Sequence, residues 1–358
     1  MNDISMNIHI VRHSIRNRGG DKLVLDYCAY LVQKGHQVVY WTNEVNTSFP
    51  IDPLIQIRMI PFKGVLGTIL FTAFSRVNSD VVLVDLVMMA LFVSFRNRKS
   101  TVYLAQDYDV SYHRSGIIKG LVEFAYRSVL DRMQIRTISV SEGLSQKLQK
   151  YDPKKLSTIP NGVDLNRFHR DSRTPYTAKR EKPFVILLFA RGDHRKGLDI
   201  GIKSLVYLLE IPATPGWELW TIGTEHVEIP GVPVKDFGFL DSDEKLRDIL
   251  SAVDIYLVPS RSEGLSLLLL QALACACAVV STEASSIIQN NINGLISPIE
   301  DAGALARNLH QVMADDALRS KLNKNARILA EQFSFQHSCQ QFEATLNEFT
   351  GSAKSGAP

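Results

Sequence analysis

The feature that most constrains this chain is an alternation that runs through it twice. Short apolar segments of strand length fall at residues 7–11, 38–42, 55–60, 81–84, 101–104 and 135–140, and again at 184–189, 217–222, 232–237, 255–258, 278–281 and 295–296. Helix-length amphipathic segments lie between or after them, as at 23–31, 117–130, 142–150, 198–209, 243–250, 266–274, 302–314 and 318–333. Lys34-Gly35 closes the first of these helices, where glycine suits the left-handed residue after a helix end. A strand, a helix and a strand of this size make a βαβ unit, which requires a parallel sheet and a right-handed crossover. The pattern therefore predicts an α/β chain with two consecutive doubly wound, Rossmann-like domains. Between the two series, Asp152-Pro153 and Ile159-Pro160-Asn161-Gly162 are turn chemistry and residues 170–183 are polar. The expected boundary lies there, with a first domain over 1–172 and a second over 173–333.

Composition sets the class and removes others. A chain of 358 residues with 45% hydrophobic and 22% charged content is neither a fibre nor a small disulfide scaffold nor a disordered tail protein. Four cysteines without a CxxC pair argue against both disulfides and a zinc site, so Cys28, Cys275, Cys277 and Cys339 read as reduced thiols. The net charge of +3 gives no mandate for nucleic-acid binding, yet it hides a split. Residues 1–170 hold 22 Lys+Arg against 14 Asp+Glu, and residues 171–358 hold 18 against 23. The first half is the one suited to an acidic partner. The N-terminal residues lack a signal-peptide pattern, and the longest apolar stretch, 81–95, is interrupted by Asp85 and short of the ~20 residues of a spanning helix. The expected location is the cytoplasm. The small, polar end at 351–358 is expected to fray.

Open parallel sheets bind ligands beyond the carboxyl ends of their strands, so the candidate chemistry lies in the loops there. Gly19 and Gly20, after the first strand, allow backbone N–H groups to approach an anion; a solvated surface loop is the alternative. Arg191 and Lys196, five positions apart after the strand at 184–189, can converge on a diphosphate. Glu263 and Gly264 precede an apolar helix, where Glu263 either caps the helix or holds a sugar hydroxyl, with Gln271 two turns on. Gln106-Asp107-Tyr108-Asp109 imitates a metal-binding DxD without a third ligand cluster; orienting an acceptor or capping a helix are the other readings. Asp241-Ser242-Asp243 reads as a helix cap.

Taken together, four motifs in order give a resemblance. Ile159-Pro160-Asn161-Gly162-Val163-Asp164 with Phe168, Arg191 with Lys196-Gly197, the run from Asp254 to Glu263-Gly264, and Asn293-Gly294-Leu295 resemble glycosyltransferase family 4, a GT-B fold of two domains facing across a cleft. The resemblance implies a retaining, metal-independent transfer of a sugar from a nucleotide-diphosphate donor to a hydroxyl of a glycan or lipid-linked acceptor. On it, Arg191 and Lys196 would neutralise the diphosphate, and Glu263 would hold donor-sugar hydroxyls. Gly264, Leu265 and Ser266 would offer N–H groups, Gly19 and Gly20 would close over the phosphates, and the base would rest against Phe237, Gly238 and Phe239. Gln106, Asp107 and Asp109 would orient the sugar or acceptor. No cofactor is implied, and residues 334–358 would form a helix crossing back to the first domain, followed by a tail.

Three departures are visible. Gln271 stands where the family has a glutamate that grips both ribose hydroxyls, Leu265-Ser266 replaces Phe-Gly and Ser285-Ser286 a glycine pair, and Gln106 replaces a histidine that many relatives carry. An amide has one acceptor oxygen where a carboxylate has two, so Gln271 suggests a dTDP-sugar such as dTDP-rhamnose, with UDP- or GDP-sugars the alternatives. The Gln106-Asp107-Tyr108-Asp109 run is similar to one in bacterial rhamnosyltransferase-like members. Other readings are a nucleotide-sugar epimerase or hydrolase, and a catalytically silent GT-B binding subunit. Arg12, Arg16, Arg18, Arg96, Arg98 and Lys99 are expected to face a lipid-linked acceptor at an anionic membrane.

Overall fold

The computed structural model describes residues 5–113 and 116–354. The chain divides into two units, one formed by residues 1–161 with 336–358 and the other by residues 162–335.

In the first unit the chain runs β1 (Asn7–Val11), β2 (Ser14–Arg16), α1 (Gly19–Gln33), β3 (Gln37–Thr42), β4 (Glu44–Asn46) and β5 (Gln56–Met59). It continues through α2 (Gly64–Phe74), β6 (Val81–Val84), α3 (Val87–Asn97), β7 (Thr101–Ala105), α4 (Gly116–Tyr126), β8 (Arg136–Ser139), α5 (Glu142–Gln149) and β9 (Leu156–Thr158). Seven of these strands form one parallel sheet in the order β5-β3-β1-β6-β7-β8-β9, and β2 pairs with β4 beside it. The order reverses direction between β1 and β6, the switch point of a doubly wound sheet.

The second unit repeats the plan with β10 (Phe184–Ala190), α6 (Leu198–Glu210), β11 (Trp217–Gly223), β12 (Val234–Asp236), α7 (Asp243–Ala252) and β13 (Ile255–Val258). Then come α8 (Leu267–Ala274), β14 (Ala278–Thr282), β15 (Leu295–Ser297), α9 (Ala302–Ala314) and α10 (Asp316–Glu331). Its parallel sheet has the order β12-β11-β10-β13-β14-β15, with the switch between β10 and β13. Alternate residues of each strand enter opposite cores: Val185, Leu187, Tyr256 and Val258 face one, and Ile186, Leu188, Ile255 and Leu257 the other. A sheet covered on both faces explains why these strands read as continuous apolar runs.

The final helix, α11 (Phe335–Lys354), lies with the first unit, where Phe342 stacks on Tyr27 at 4.3 Å and Glu343 accepts from Tyr30 and His36. Residues 351–354 continue this helix instead of fraying, and residues 355–358 lie outside the described residues.

The division falls at Asn161/Gly162, earlier than the boundary expected after residue 172. The reason is packing: Val163 and Phe168 are buried in the second unit's core, and Arg170 donates to the carbonyls of Ala276 and Val253. Gly162 is needed there, because a Cβ would lie 2.4 Å from the Phe335 backbone. Cys28, Cys275, Cys277 and Cys339 are all buried, unpaired thiols, and burial pushes Cys277 up to about 12. Among the described residues no helix is long and apolar enough to cross a membrane.

Candidate functional site

The second unit builds its site from the two loops flanking its switch point. After β10 the chain makes a short helical turn, His194–Lys196, closed by Gly197 in the left-handed region at φ +65°. A Cβ on Gly197 would lie 2.0 Å from the Pro259 carbonyl oxygen, so only glycine lets this loop touch the one after β13. That contact brings Lys196 to Glu263: Lys196 Nζ donates to both carboxylate oxygens at 2.8 Å. The Glu263 side chain is 3% exposed and that of Lys196 is 21% exposed, so the carboxylate is inside and the ammonium sits at the mouth. Lys196, Glu263 and Ser266 line a small recess with Phe189 and Tyr256 in its wall. Arg191 is half-buried and makes no hydrogen bond or ion pair among the described residues.

Sequence reasoning missed what holds these loops together. Arg261 puts its fork on both oxygens of Asp199 at 2.8 and 2.7 Å, donates to the His194 carbonyl at 2.8 Å and pairs with Glu300. Its backbone N–H also donates to the Arg195 carbonyl at 2.7 Å. Hydrogen bonding from Arg261 holds the Asp199 and Glu300 carboxyls below the usual carboxylate range. Arg195, by contrast, turns back onto Asp193 and is buried. The sequence offered only a third basic residue near the motif, with nothing to separate clamp from ligand contact.

Helix α8 begins as its sequence suggests. Ser266 is its N-cap and accepts from the Leu269 N–H, while Leu265 is buried in the core. Glu263 therefore does not cap α8; Ser266 does. Leu265-Ser266 thus supplies a core side chain and the helix cap. Gln271 lies on the side of α8 that carries Leu267 and Leu268, and its side chain makes no hydrogen bond among the described residues. At the end of β12, Phe237 is committed to an edge-on cluster with Tyr176 and Trp220, at 5.4 and 5.2 Å. Gly238 turns at φ +63°, and Phe239 is exposed. The Asp241-Ser242-Asp243 cap is made by Ser242, which accepts from Lys245, while Asp243 pairs with Arg167.

In the first unit Gly19 and Gly20 open α1. Beneath them lies a charge network straddling that unit's switch point. Arg12, directly after β1, pairs with Asp85, directly after β6, at 2.8 Å, with Asp21 at 3.1 Å, and donates to the Gly20 carbonyl. Gln106 donates to the same carbonyl and to Asp85, and its Oε1 lies 2.6 Å from where a Gly20 Cβ would be. Burial opposes the Arg12 charge, but Asp85 and Asp21 more than offset it and raise its pKa. Burial pushes the Asp21 carboxyl up, against the pull of Arg12. A charged residue ending each of two adjacent strands was the available signal for this network.

Asp107 and Asp109 do not act as a pair. Asp107 accepts from its neighbour's N–H, whereas Asp109 is buried and accepts from the Val87 N–H at 2.7 Å, capping α3 from a distance in sequence. Burial pushes Asp109 up to about 8. It is thereby withdrawn from the acceptor-orienting role expected of it. Among the described residues no group of three or more His, Cys, Asp or Glu side chains is placed to hold a metal ion.

Comparison with known proteins matches each unit to a family. The model described as Glycosyltransferase Family 4 covers residues 17–167, and that described as Glycosyl transferases group 1 covers residues 183–315. A lipopolysaccharide core biosynthesis mannosyltransferase, LpcC, of Rhizobium leguminosarum bv. viciae is 27% identical over 218 residues, which are 56% of this chain and 61% of the relative. The chain spans little more than half the length of the curated relatives it matches. Among solved structures, sucrose-phosphate synthase from Thermosynechococcus elongatus superposes with TM-score 0.78 at 18% identity, covering 97% of this chain and 99% of that one. Anabaena Alr3699/HepE in complex with UDP-glucose superposes with TM-score 0.76 at 17% identity, covering 96% and 100%. These two likenesses are of fold.

Proposed function

Because the chain belongs to glycosyltransferase family 4, we propose that it moves a sugar from a nucleotide-diphosphate donor to a hydroxyl of a glycan or lipid-linked acceptor. The product would be part of a bacterial surface polysaccharide or glycoconjugate, made in the cytoplasm in peripheral contact with the membrane that carries the acceptor. The observation that carries this reading is Lys196 held on Glu263 at the mouth of a recess, beside an Arg191 with no partner of its own among the described residues. Two cations at one switch point suit a diphosphate, whose charge grows as the sugar leaves; fixed cations stabilise that developing charge. Glu263, once Lys196 turns to the diphosphate, accepts from donor-sugar hydroxyls. The N–H groups of Gly264, Leu265 and Ser266, at the positive end of α8, face the phosphate. Phe239 offers an exposed ring to the base. In this reading the cations do the work of a divalent metal, and the anomeric configuration is retained.

The donor is a hexose or deoxyhexose nucleotide. The Anabaena structure holds UDP-glucose, which supports a UDP-sugar, while Gln271 with a single acceptor oxygen supports a deoxyribonucleotide such as dTDP-rhamnose. The test is to give the full chain UDP-, GDP- and dTDP-sugars in the presence of a chelator, and to follow nucleotide release and the anomeric configuration of the product. Transfer with retention is expected. Free or epimerised sugar without acceptor would make it a hydrolase or epimerase, and no binding of nucleoside diphosphate in a calorimeter would make it a silent subunit. Gln271→Glu should move preference toward ribonucleotides.

A further inference from the structure

Helix α2 is turned inside out. Its inward residues are Gly67, Thr68, Phe71 and Thr72, whereas Val65, Leu66, Leu70 and Phe74 face solvent, Leu66 and Phe74 at 68% exposure each. A surface helix ordinarily does the reverse. Its orientation is set by polar contacts: Thr68 bonds Asn43 at 2.6 Å and His13 at 2.9 Å, and Thr72 donates to the Ile69 carbonyl. The helix contains no charged residue at all.

The neighbouring helices extend this surface. Helix α3 packs against both α2 and α4 and exposes Phe95. Helix α4 buries Val122, Ala125 and Tyr126 and exposes Ile117, Ile118, Leu121 and Phe124, with Ile117 at 80%. Exposed apolar side chains from adjacent helices form a patch that a solitary soluble domain rarely carries. Around it stand Lys63, Arg76, Arg96 and Lys119, all exposed and none in an ion pair among the described residues. An apolar centre rimmed by cations of one sign is complementary to an anionic bilayer, with acyl chains beneath and phosphates above.

We infer that α2, α3 and α4 form a docking face for an anionic lipid membrane. Helix α2, at about 16 Å, lies in the interface and cannot span it. Its apolar side chains enter the boundary between headgroups and acyl chains, and the flanking cations meet the lipid phosphates. This deepens the membrane contact of the proposed function and stands independently of sugar transfer. It also corrects the basic residues expected there from sequence. Arg12 is held between two aspartates, Arg16 pairs with Glu44, and Arg98 donates to the Met133 carbonyl, whereas Arg96, in the last turn of α3, is exposed beside the apolar face.

Flotation of the full chain with phosphatidylcholine vesicles, with and without phosphatidylglycerol, tests this without any activity assay. Binding is expected to the anionic vesicles and to fall with salt. The double variant Leu66→Gln/Phe74→Gln should weaken it about tenfold or more, since each exposed side chain contributes several buried CH2 groups. Lys63→Glu/Arg96→Glu should weaken binding to the anionic vesicles, and Ile328→Gln, exposed in the second unit, should leave it unchanged. Thermal melts should show all variants folded. No flotation of the wild type, or wild-type binding by the Leu66/Phe74 variant, overturns the inference. So does a dimer in sedimentation velocity that this variant dissolves while vesicles bind neither protein, which would make a second copy the occupant.

Discussion

The two units place a charge pair at the same topological point and put it to different use. In the first, Arg12 follows β1 and meets Asp85 after β6; in the second, Lys196 follows β10 and meets Glu263 after β13, each at 2.8 Å. Arg12 is then closed off by Asp21, the Gly20 carbonyl and burial. Lys196 has Glu263 alone, opens on a recess and neighbours an Arg191 without a partner among the described residues. A cation saturated by protein acceptors holds a turn, whereas one that keeps donors open can answer a ligand. The switch point attracts ligands by position; saturation decides whether the charge there is scaffold or site.

The largest effect expected from this contrast is on stability. Arg12→Ala leaves Asp21 and Asp85 buried without a counter-charge and should cost about 3–5 kcal/mol in denaturant unfolding. A loss below 1 kcal/mol would erase the distinction between the units. Lys196→Ala strands one carboxylate, Glu263, at the edge of a recess, so it should lower the unfolding midpoint by less than Arg12→Ala does, and it should cut turnover by roughly 10²–10³-fold, the range of a lost preorganised donor. Full activity would show that the open pair is not the diphosphate site.

Arg261→Ala tests the clamp behind that pair. Freeing the loop adds an ordering cost on binding, so the dissociation constant for a nucleoside diphosphate should rise about tenfold by calorimetry. Arg261→Lys should restore little, because an ammonium cannot replace a two-pronged fork. Asp109 adds a pH-dependent effect. Burial raises its folded pKa to about 8 from 3.8, so the folded state binds the extra proton and this contribution to stability is lost as pH rises through that interval. Melting points between pH 5 and 8.5 should fall with pH, and Asp109→Asn, which can still accept from Val87, should flatten the slope.

Legibility followed burial. Every long strand is found within a residue or two of its expected place, because a parallel sheet covered on both faces writes itself as apolar runs. The short β2, β4 and β9 carry three residues each and too little pattern to announce themselves. Helix α3 was hidden inside the apolar stretch 81–95, which holds a strand, a turn at Asp85 and a helix in succession. Helix α2 was hidden because its apolar face points outward, against the rule by which periodicity is read. At the site, Arg191, Lys196, Glu263 and Gly197 are visible as loop residues after strands, but Arg261 and Arg12 were not separable from other arginines.

The sequence by itself determined the two parallel sheets, their switch points and the loops where chemistry would stand, since these depend on local periodicity and on which residue follows a strand. Only the tertiary structure decided which charges are saturated and which are open. Arg12 and Lys196 are both cations in a loop after a unit's first strand, and what separates them is the number of residues that bring an acceptor within 3.2 Å: Asp85, Asp21 and the Gly20 carbonyl for Arg12, Glu263 alone for Lys196. The same holds for the outward face of α2: its composition is in the sequence, but its direction was set by Asn43 and His13, more than twenty residues away along the chain.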